Sequence, residues 1–326
     1  MKAIICQQFG PPETVVYTDL PDLTPQAGEV KIRIRACGVN FADTLMIQGQ
    51  YQVKPPFPFI PGMEIAGEIA AIGEGVRHLK LGDRVVAIPG TGGFAEEIVV
   101  SAALVLPVPE RMAWGDAAAF AIAYGTSHIA LNHRGHLQPG ETLLVHGAAG
   151  GVGLTAVEIG KLMGATVIAT ASTSEKLAIA RQYGADYVIN YREENFVEQV
   201  KAFTQGRGAN VIYDPVGGDV FDQSLRCIAW EGRLLVIGFA SGRIPQIPAN
   251  LTLVKNCSVV GVYWGNYTQK DPDTLRQSLR TLLGWYEQGQ IKPHIAYRFP
   301  LGRTGEALRV LMDRRAMGKV VVEMND

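Results

Sequence analysis

The order of hydrophobic and polar positions divides the chain into three zones. From residue 2 to about residue 106, short apolar runs are separated by Gly and Pro at intervals typical of all-β barrels. Residues 29–36 alternate strictly between polar and apolar side chains, which predicts a strand with one buried face and one solvated face. Further strands are predicted at residues 65–70, 84–88 and 95–100.

Beyond about Tyr124, the pattern changes to strands that alternate with helices of ten or more residues, which is typical of a parallel sheet. The predicted strands are residues 142–147, 166–170, 187–190, 211–214, 234–238 and 258–263. The predicted helices between them are residues 152–163, 174–183, 193–203 and 218–229. Six strands in this order suit a doubly wound nucleotide-binding sheet.

After Gly265 the pattern changes again. Asp271 and Pro272 have the arrangement of a helix N-cap followed by Pro at the first helical position. A second helix at residues 304–312 and a strand at residues 319–323 close the chain. Because these elements resemble a return to the first zone, we expect a discontinuous first domain of residues 1–123 and 266–326. The sheet domain, residues 124–265, would be inserted into it.

Charge and cysteine content narrow the function classes. The 326 residues include 30 Lys and Arg and 31 Asp and Glu, with no basic run, so electrostatics favour neither a nucleic acid nor an anionic membrane as partner. The four cysteines show no C-x-x-C spacing, which argues against a disulfide framework or a cysteine-rich zinc lobe. The N-terminus lacks a secretory apolar region, and the longest apolar stretch is too short to span a bilayer. We therefore expect a cytoplasmic protein with a small-molecule partner.

A glycine-rich segment, HGAAGGVG at residues 146–153, follows a predicted strand and opens a predicted helix. In this context, Gly150 would let the backbone approach a pyrophosphate, and Gly153 would allow the helix to pack closely on the strand. Ala148 stands where the usual G-x-G-x-x-G pattern has its first glycine. This departure is harmless if residue 148 has an ordinary backbone conformation, but not if the turn demands a positive φ there.

The end of the second predicted strand favours NADPH over NADH. NAD-selective proteins place Asp or Glu there to bind the ribose hydroxyls, whereas this chain has Ala171. Nearby, Ser172 and Lys176 would offer hydroxyl and ammonium donors to a 2′-phosphate. In the alternative interpretation, Glu175 reaches the ribose and the cofactor is NADH, or Ser174 and Glu175 only cap and begin a helix.

The strand-rich first zone, the AAGGVG loop and the segments INYREE at 189–194 and YGT at 124–126 together resemble one known family. They are similar to the quinone oxidoreductase (zeta-crystallin) branch of the medium-chain dehydrogenase/reductase superfamily, over essentially the whole chain. The resemblance implies an α/β fold in which a Rossmann doubly wound parallel sheet is inserted in a GroES-like β-barrel catalytic domain. It also implies NADPH-dependent hydride transfer to a quinone. The alternative acceptor is an α,β-unsaturated carbonyl or an enoyl thioester.

The glycine loop, the strand end and the resemblance together give a candidate cofactor-binding set. Its members are Ala149, Gly150, Gly151, Val152, Gly153, Ser172, Lys176, Tyr191, Gly238, Phe239 and Arg315. By resemblance, Lys176 and Tyr191 match contacts to the 2′-phosphate, while Gly238 and Phe239 would lie beside the nicotinamide. Arg315 would lie near the adenosine phosphate.

Three further residues, Asn40, Tyr51 and Thr126, match family positions that line the nicotinamide and the substrate. Asn40 could donate a hydrogen bond to a developing oxyanion, and Tyr51 could bind the acceptor or relay a proton. Alternatively, Asn40 satisfies the backbone of a turn and Tyr51 is a surface aromatic residue. Asp43 could orient the site or simply begin a helix.

Zinc-dependent relatives would have Cys and His ligands where this chain has Asn40 and Met63. Because amide and thioether groups are poor Zn²⁺ ligands, no metal is expected. Catalysis would then depend on orienting the nicotinamide against an acceptor that is already electrophilic.

The apolar run at residues 258–264 is the last predicted strand of the sheet and would leave an exposed edge. Pairing of two such edges about a two-fold axis predicts a homodimer, unless the edge is covered within the monomer. A non-enzymatic dinucleotide- or RNA-binding role is disfavoured by the neutral charge.

Overall fold

The computed structural model describes residues 1–324, so the last two residues of the expected first domain lie outside it. The chain divides into two compact units. The first unit consists of Met1–Ile122 and the chain from Lys292 onward, and the second unit is Ala123–Ile291.

The N-terminal part of the first unit is predominantly β. Its strands are β1 (Lys2–Ile5), β2 (Val16–Asp19), β3 (Glu29–Val39), β4 (Glu64–Ile72), β5 (Arg84–Ala87), β6 (Glu97–Ser101) and β7 (Val105–Pro107). Two short helices, α1 (Phe41–Ile47) and α2 (Trp114–Ala118), accompany them. The alternating pattern at the start of β3 becomes a buried row, Val30, Ile32 and Ile34, with each side chain at most 1% exposed. This row forms part of the hydrophobic core of the unit.

The second unit contains the alternating strands and helices. Its strands are β8 (Thr142–Val145), β9 (Thr166–Ala171), β10 (Tyr187–Asn190), β11 (Ala209–Asp214), β12 (Ile228–Val236) and β13 (Ser258–Gly261). Its helices are α3 (Ala121–His128), α4 (Gly151–Leu162), α5 (Ser174–Gln182), α6 (Phe196–Phe203), α7 (Gly218–Ser224), α8 (Ala249–Lys255), α9 (Tyr267–Lys270) and α10 (Pro272–Glu287). The first of these, α3, begins two residues before the unit. A π-helical segment, Ile129–Arg134, follows α3.

All pairings in the sheet of the second unit are parallel, in the order β10-β9-β8-β11-β12-β13. This is the doubly wound order, in which the chain starts in the middle of the sheet and reverses direction after β10. The prediction of a Rossmann sheet is therefore confirmed, and all six predicted strands are present. None of the helices in residues 1–324 has the length and apolar character needed to cross a bilayer.

The chain then returns to the first unit through β14 (Ile295–Pro300), α11 (Thr304–Met312) and β15 (Lys319–Glu323). β15 lies between β14 and β3, in a sheet of order β14-β15-β3-β4-β5-β7, and β6 also pairs with β3. β15 runs antiparallel to β3, with Val320 opposite Val39. The predictions of a helix at residues 304–312 and a strand at residues 319–323 are confirmed.

Two predicted helix bounds are wrong. The helix expected at residues 218–229 ends at Ser224, and Ile228 and Ala229 instead begin β12, where both are buried. The helix expected from residue 193 begins at Phe196 because Asn195 caps it, with its side-chain oxygen accepting a hydrogen bond from the Val197 N–H at 3.0 Å.

The expected domain boundary at residue 265 also differs from the structure, since α10 belongs to the second unit. Its buried face contains Leu275, Leu279 and Leu282. Ser278 Oγ lies 2.8 Å from Nδ1 of His128. These leucines recur at the spacing of one helix face, whereas nothing in the local sequence indicates the contact with His128.

Candidate active site

The glycine-rich segment forms the turn between β8 and α4. Gly147 has a φ of +57°, a conformation that glycine adopts without steric cost. Ala148 is absent from the residues with positive φ, is fully buried, and donates its N–H to the Thr170 carbonyl oxygen at 3.1 Å. The left-handed conformation therefore falls on Gly147, and the alanine at 148 is tolerated.

Gly153 brings α4 against this turn. A Cβ added at Gly153 would lie 2.2 Å from the Gly147 carbonyl oxygen, so only glycine allows this approach. Gly150 is the N-cap residue of α4 and has no side chain to cap the helix. The N–H groups of the first turn of α4 are thus the donors that a pyrophosphate would meet, at the positive end of the helix dipole.

His146 supports the turn through hydrogen bonds to two other elements, a role that the sequence did not predict. It is 1% exposed, with Nδ1 2.9 Å from Thr170 Oγ1 and Nε2 2.8 Å from Ser224 Oγ. Burial lowers the pKa of His146 to about 3, so the ring is neutral at physiological pH. Ser224 Oγ donates its proton to the Val220 carbonyl oxygen at 2.7 Å, so it accepts from the Nε2–H of His146, and Nδ1 accepts from the Thr170 hydroxyl. His146 therefore links β8 to β9 and α7.

A second buried network connects α3 to the start of α4. Ser127 donates to the Val152 carbonyl oxygen at 2.9 Å, and its Oγ lies 2.8 Å from Thr155 Oγ1 and 2.9 Å from the Tyr213 hydroxyl. Burial raises the pKa of Tyr213, which keeps the hydroxyl protonated. Thr126 precedes Ser127 and is 8% exposed, so the structure places it beside this network.

The strand ends of β9 and β10 bring together the residues expected to bind a 2′-phosphate. Asn190 is paired with Ala171, and the Tyr191 N–H donates to the Ala171 carbonyl oxygen at 3.2 Å. Ser172 is half-buried and Tyr191 is exposed. Both therefore lie at the carboxyl edge of the sheet, where nucleotides bind in doubly wound folds.

Lys176 lies in the first turn of α5, directly after this edge. The helix is capped by Thr173, whose side-chain oxygen accepts a hydrogen bond from the Lys176 N–H at 3.3 Å. The cap is therefore Thr173 rather than Ser174, and the exposed Glu175 is a first-turn residue. Ser172, Lys176 and Tyr191 therefore follow the neighbouring ends of β9 and β10, and β9 itself ends at Ala171 rather than at a carboxylate.

Gly238 and Phe239 follow β12 and pack against the loop after β11. The Phe239 ring lies close enough to Gly217 that an added Cβ there would be 2.9 Å from Cδ1. Asp214, at the end of β11, accepts hydrogen bonds from the N–H groups of Val216 at 2.8 Å and Gly217 at 3.0 Å. These bonds fix the loop that supports Phe239, and burial raises the pKa of Asp214.

The first unit contains a buried polar cluster around Asn40, at the start of α1. The Asn40 side-chain nitrogen donates to Glu64 Oε1 at 2.9 Å and to the Gly38 carbonyl oxygen at 3.4 Å. Lys319 donates to Asn40 Oδ1 at 2.7 Å and to Glu64 Oε1 at 2.9 Å. The carboxamide of Asn40 is thus held by two oppositely charged side chains. Lys319 and Glu64 carried no functional expectation in the sequence.

Asp43 hydrogen-bonds to the backbone at the start of α1. Its carboxylate accepts a hydrogen bond from the Asn40 backbone N–H at 2.8 Å, as in a capping box. Complete burial raises the pKa of Asp43 to about 7. The interpretation of Asp43 as a helix-start residue is therefore the one that the contacts support.

The remaining site candidates lie elsewhere in the first unit. Tyr51 is half-buried and packs against the hydrophobic core. Arg315 lies 3.4 Å from Asp313 and lines a cavity of about 610 Å³ that also contacts Tyr17 and Phe299.

Met63 stands at one of the two positions where zinc-dependent relatives would have a zinc ligand. Met63 packs its side chain against the same hydrophobic core. In the part of the chain that the structure describes, no three His, Cys, Asp or Glu side chains lie close enough together to hold a metal ion.

Comparisons with known proteins cover both units. The alcohol dehydrogenase GroES-like domain model matches residues 26–110, and the model described as zinc-binding dehydrogenase matches residues 151–283. A quinone oxidoreductase-like protein 2 homolog of Nematostella vectensis is 45% identical over 324 residues, which cover 98% of this chain and 88% of the relative.

Two solved structures are similar over the full length. A mycobacterial protein complexed with NADPH has a TM-score of 0.93 and 32% identity, covering 99% of this chain and all of the other. Escherichia coli quinone oxidoreductase complexed with NADPH has a TM-score of 0.92 and 30% identity, with the same coverage.

Proposed function

Given that the chain belongs to the quinone oxidoreductase family of the medium-chain dehydrogenase/reductase superfamily, we propose that it is an NADPH-dependent oxidoreductase that reduces a quinone by hydride transfer. The observation that carries this proposal is the strand edge at Ser172, Lys176 and Tyr191, beside the glycine turn at Gly147 to Gly153. Two family members of known structure bind NADPH.

The residues present fit a phosphorylated dinucleotide. The turn at Gly150 exposes first-turn N–H groups to the pyrophosphate, and no side chain there competes for them. Lys176 and Tyr191 would donate hydrogen bonds to the 2′-phosphate, which has no carboxylate at the end of β9 to repel it. Arg315 is a proposed further contact to the adenosine phosphate, and Gly238 and Phe239 are proposed contacts to the nicotinamide.

When bound, NADPH supplies the hydride, and the protein's own contribution is orientation and hydrogen bonding. In the first unit, Asn40 would donate to the oxygen that gains negative charge, and Tyr51 would hold the acceptor. In the second unit, Thr126 would contact the nicotinamide. The charged pair of Lys319 and Glu64 holds Asn40, and the Ser127 network lies directly after Thr126 in the chain.

The donor set around Asn40 does not fit a catalytic zinc ion, despite the description of one matching family model. Asn40 offers an amide already bonded to Lys319 and Glu64, and Met63 offers a thioether packed in the core. The Lys319 ammonium lies 2.9 Å from Glu64, so a cation already neutralises that carboxylate. We therefore propose a reaction that needs no zinc.

We further propose that the chain forms a homodimer through β13. β13 is the last strand in the sheet order, and the neighbouring surface exposes large apolar side chains. Trp230 is 66% exposed, Leu253 80% and Val254 69%. Apolar exposure beside an unpaired edge suits burial against a second copy of the chain.

The acceptor is tested by steady-state kinetics with NADPH and three substrates: 1,4-benzoquinone, an alkenal and an enoyl thioester. We expect quinone turnover to have the highest kcat/KM. Preferential turnover of the alkenal or the enoyl thioester would replace the quinone by a conjugated carbonyl acceptor. Failure to oxidise NADPH with any of the three would reject the reductase assignment.

A further inference from the structure

A buried lysine lies beside the proposed oxyanion donor and has no part in the proposed hydride transfer. Lys319 is 4% exposed, and its ammonium donates to Asn40 Oδ1 at 2.7 Å, to Glu64 Oε1 at 2.9 Å and to the Val39 carbonyl oxygen at 3.4 Å. A charge at this depth needs partners, and all three partners come from the segment that presents Asn40 or from the strand beside it.

The two charges leave the Asn40 carboxamide only one favourable orientation. Its oxygen faces the Lys319 ammonium and its nitrogen faces the Glu64 carboxylate. Rotating the amide by 180° would place N–H groups against the ammonium and the carbonyl oxygen against the carboxylate, so both contacts would become repulsive.

Both carboxylate oxygens of Glu64 accept hydrogen bonds. Its Oε2 accepts a hydrogen bond from the Ile122 N–H at 2.9 Å, while Oε1 receives the bonds from Asn40 and Lys319. Gly38 leaves room for this carboxylate, because a Cβ at Gly38 would lie 2.4 Å from Oε1. Pairing of β15 with β3 brings Lys319 to the same place.

We propose that Lys319 is a positioning residue, which acts with Glu64 to fix the Asn40 carboxamide so that the N–H that is not bonded to Glu64 is available to the acceptor. One side-chain N–H is used by Glu64 at 2.9 Å. The other has the Gly38 carbonyl oxygen as its acceptor at 3.4 Å, a long contact that a developing oxyanion would replace. This inference rests on the proposed function for its catalytic consequence.

The test uses the full-length protein with Lys319→Met, Glu64→Gln and the double variant. Lys319→Met leaves the Glu64 carboxylate buried without its cation, and this variant can lose its fold. The double variant removes both charges together and keeps the shape of residue 64, so we expect it to preserve the fold. Lys31→Met is the matched control, because Lys31 forms a partly buried pair with Glu97 at 3.1 Å in the same unit, away from Asn40.

Three quantities are measured: Tm, kcat and KM for 1,4-benzoquinone, and the side-chain amide signals of Asn40 in ¹H–¹⁵N spectra. The signals are assigned by their loss in Asn40→Asp. In the double variant we expect Tm close to that of the wild type, kcat lower by about tenfold or more, NADPH affinity within about twofold, and changed Asn40 signals. Lys31→Met should retain wild-type kcat and Asn40 signals.

If Lys319 and Glu64 do not position Asn40 for the reaction, the double variant keeps the kcat of the wild type, whatever its Tm, and that result would overturn the inference. Unchanged Asn40 signals in the double variant would also overturn it. If the wild-type protein itself fails to reduce the quinone, the proposed function is wrong. The amide signals then still decide whether Lys319 orients Asn40.

Discussion

Gly153 lies so close to Gly147 that any side chain at residue 153 would collide with the backbone of the turn. The distance from an ideal Cβ at Gly153 to the Gly147 carbonyl oxygen is 2.2 Å, well below van der Waals contact. Gly150, three residues earlier, meets only the same oxygen, at 3.2 Å. The two glycines therefore differ: Gly153 permits packing, whereas we propose that Gly150 leaves space for the pyrophosphate.

We predict that Gly153→Ala and Gly150→Ala both weaken NADPH binding but differ in stability. Gly153→Ala must displace backbone, which should destabilise the protein by about 3 kcal/mol and lower affinity by about tenfold or more. Gly150→Ala has an allowed φ of −80° and should keep its Tm while losing affinity. Thermal unfolding and quenching of protein fluorescence by NADPH measure the two effects.

Gly284→Ala is the control for this pair. Gly284 lies inside α10 with no heavy atom within 4 Å of an added Cβ. The change should raise stability by about 1 kcal/mol through helix propensity, with unchanged NADPH affinity. Full NADPH affinity in Gly150→Ala would contradict the proposed pyrophosphate contact.

Selectivity for NADPH should depend on Lys176. Lys176→Ala removes the ammonium that we propose donates a charge-assisted hydrogen bond to the 2′-phosphate, a bond worth about 1.5–3 kcal/mol. The Kd for NADPH should therefore rise roughly 10- to 100-fold, since about 1.4 kcal/mol corresponds to one decade, whereas the Kd for NADH should not change. Lys161→Ala is the control, because Lys161 pairs with Asp186 at 2.6 Å near the other end of the sheet strands. Equal losses for both cofactors would argue against a phosphate contact.

Acid should destabilise the protein through His146. Its pKa in the folded protein is about 3, below its ordinary value of 6.5, so the unfolded chain takes up a proton first as the pH falls. The contribution of the neutral histidine to stability is complete above pH 6.5 and is lost progressively between pH 6.5 and pH 3. The unfolding free energy of the wild type, relative to His146→Gln, should fall by about 2 kcal/mol from pH 7.5 to pH 5.

Urea unfolding at the two pH values measures this difference. The exposed His78 provides a comparison, since His78→Gln removes a histidine from the surface without touching a buried hydrogen bond. A pH dependence that is the same in wild type and His146→Gln would show that His146 accepts a proton in the folded state.

The dimer is tested by placing charge on the apolar surface beside β13. Leu253→Glu with Val254→Glu replaces two exposed apolar side chains by carboxylates that a second copy of the chain would have to desolvate. Light scattering should give twice the chain mass of 35.2 kDa for the wild type and the single-chain mass for the variant. Leu81→Glu, at a 68% exposed leucine of the first unit, should remain dimeric. A wild-type protein of single-chain mass would reject the dimer.

The strand pattern of the second unit could be predicted because local sequence determines it. β8, β9 and β11 are short apolar runs buried on both faces, bounded by glycines and helix caps. The bounds of α7 could not be predicted, because Ile228 and Ala229 suit a helix as well as a strand. Pairing of Ile228 with Ala209 of β11, which the local pattern does not contain, places this segment in β12.

The buried polar networks could not be predicted from the sequence for the same reason, because their members are far apart in the chain. Lys319 lies 279 residues from Asn40 and 255 from Glu64, so no spacing rule connects them. A lysine directly before Val320, Val321 and Val322 is the one local signal, because a charge at the start of a buried strand needs a partner. His146 is similar, since its partners Thr170 and Ser224 belong to β9 and α7.

The position of β15 has a consequence for protein synthesis. The second unit is a continuous stretch ending at Ile291, and it can collapse as soon as that stretch has left the ribosome. The sheet of the first unit cannot be completed then, because β3 must wait for a neighbour at Lys319–Glu323 that is translated almost three hundred residues later. During that interval, residues 36–39 of β3 lack the partner that β15 later supplies, although β4 and β6 can already pair with the strand, so nascent chains should expose a short open edge to chaperones.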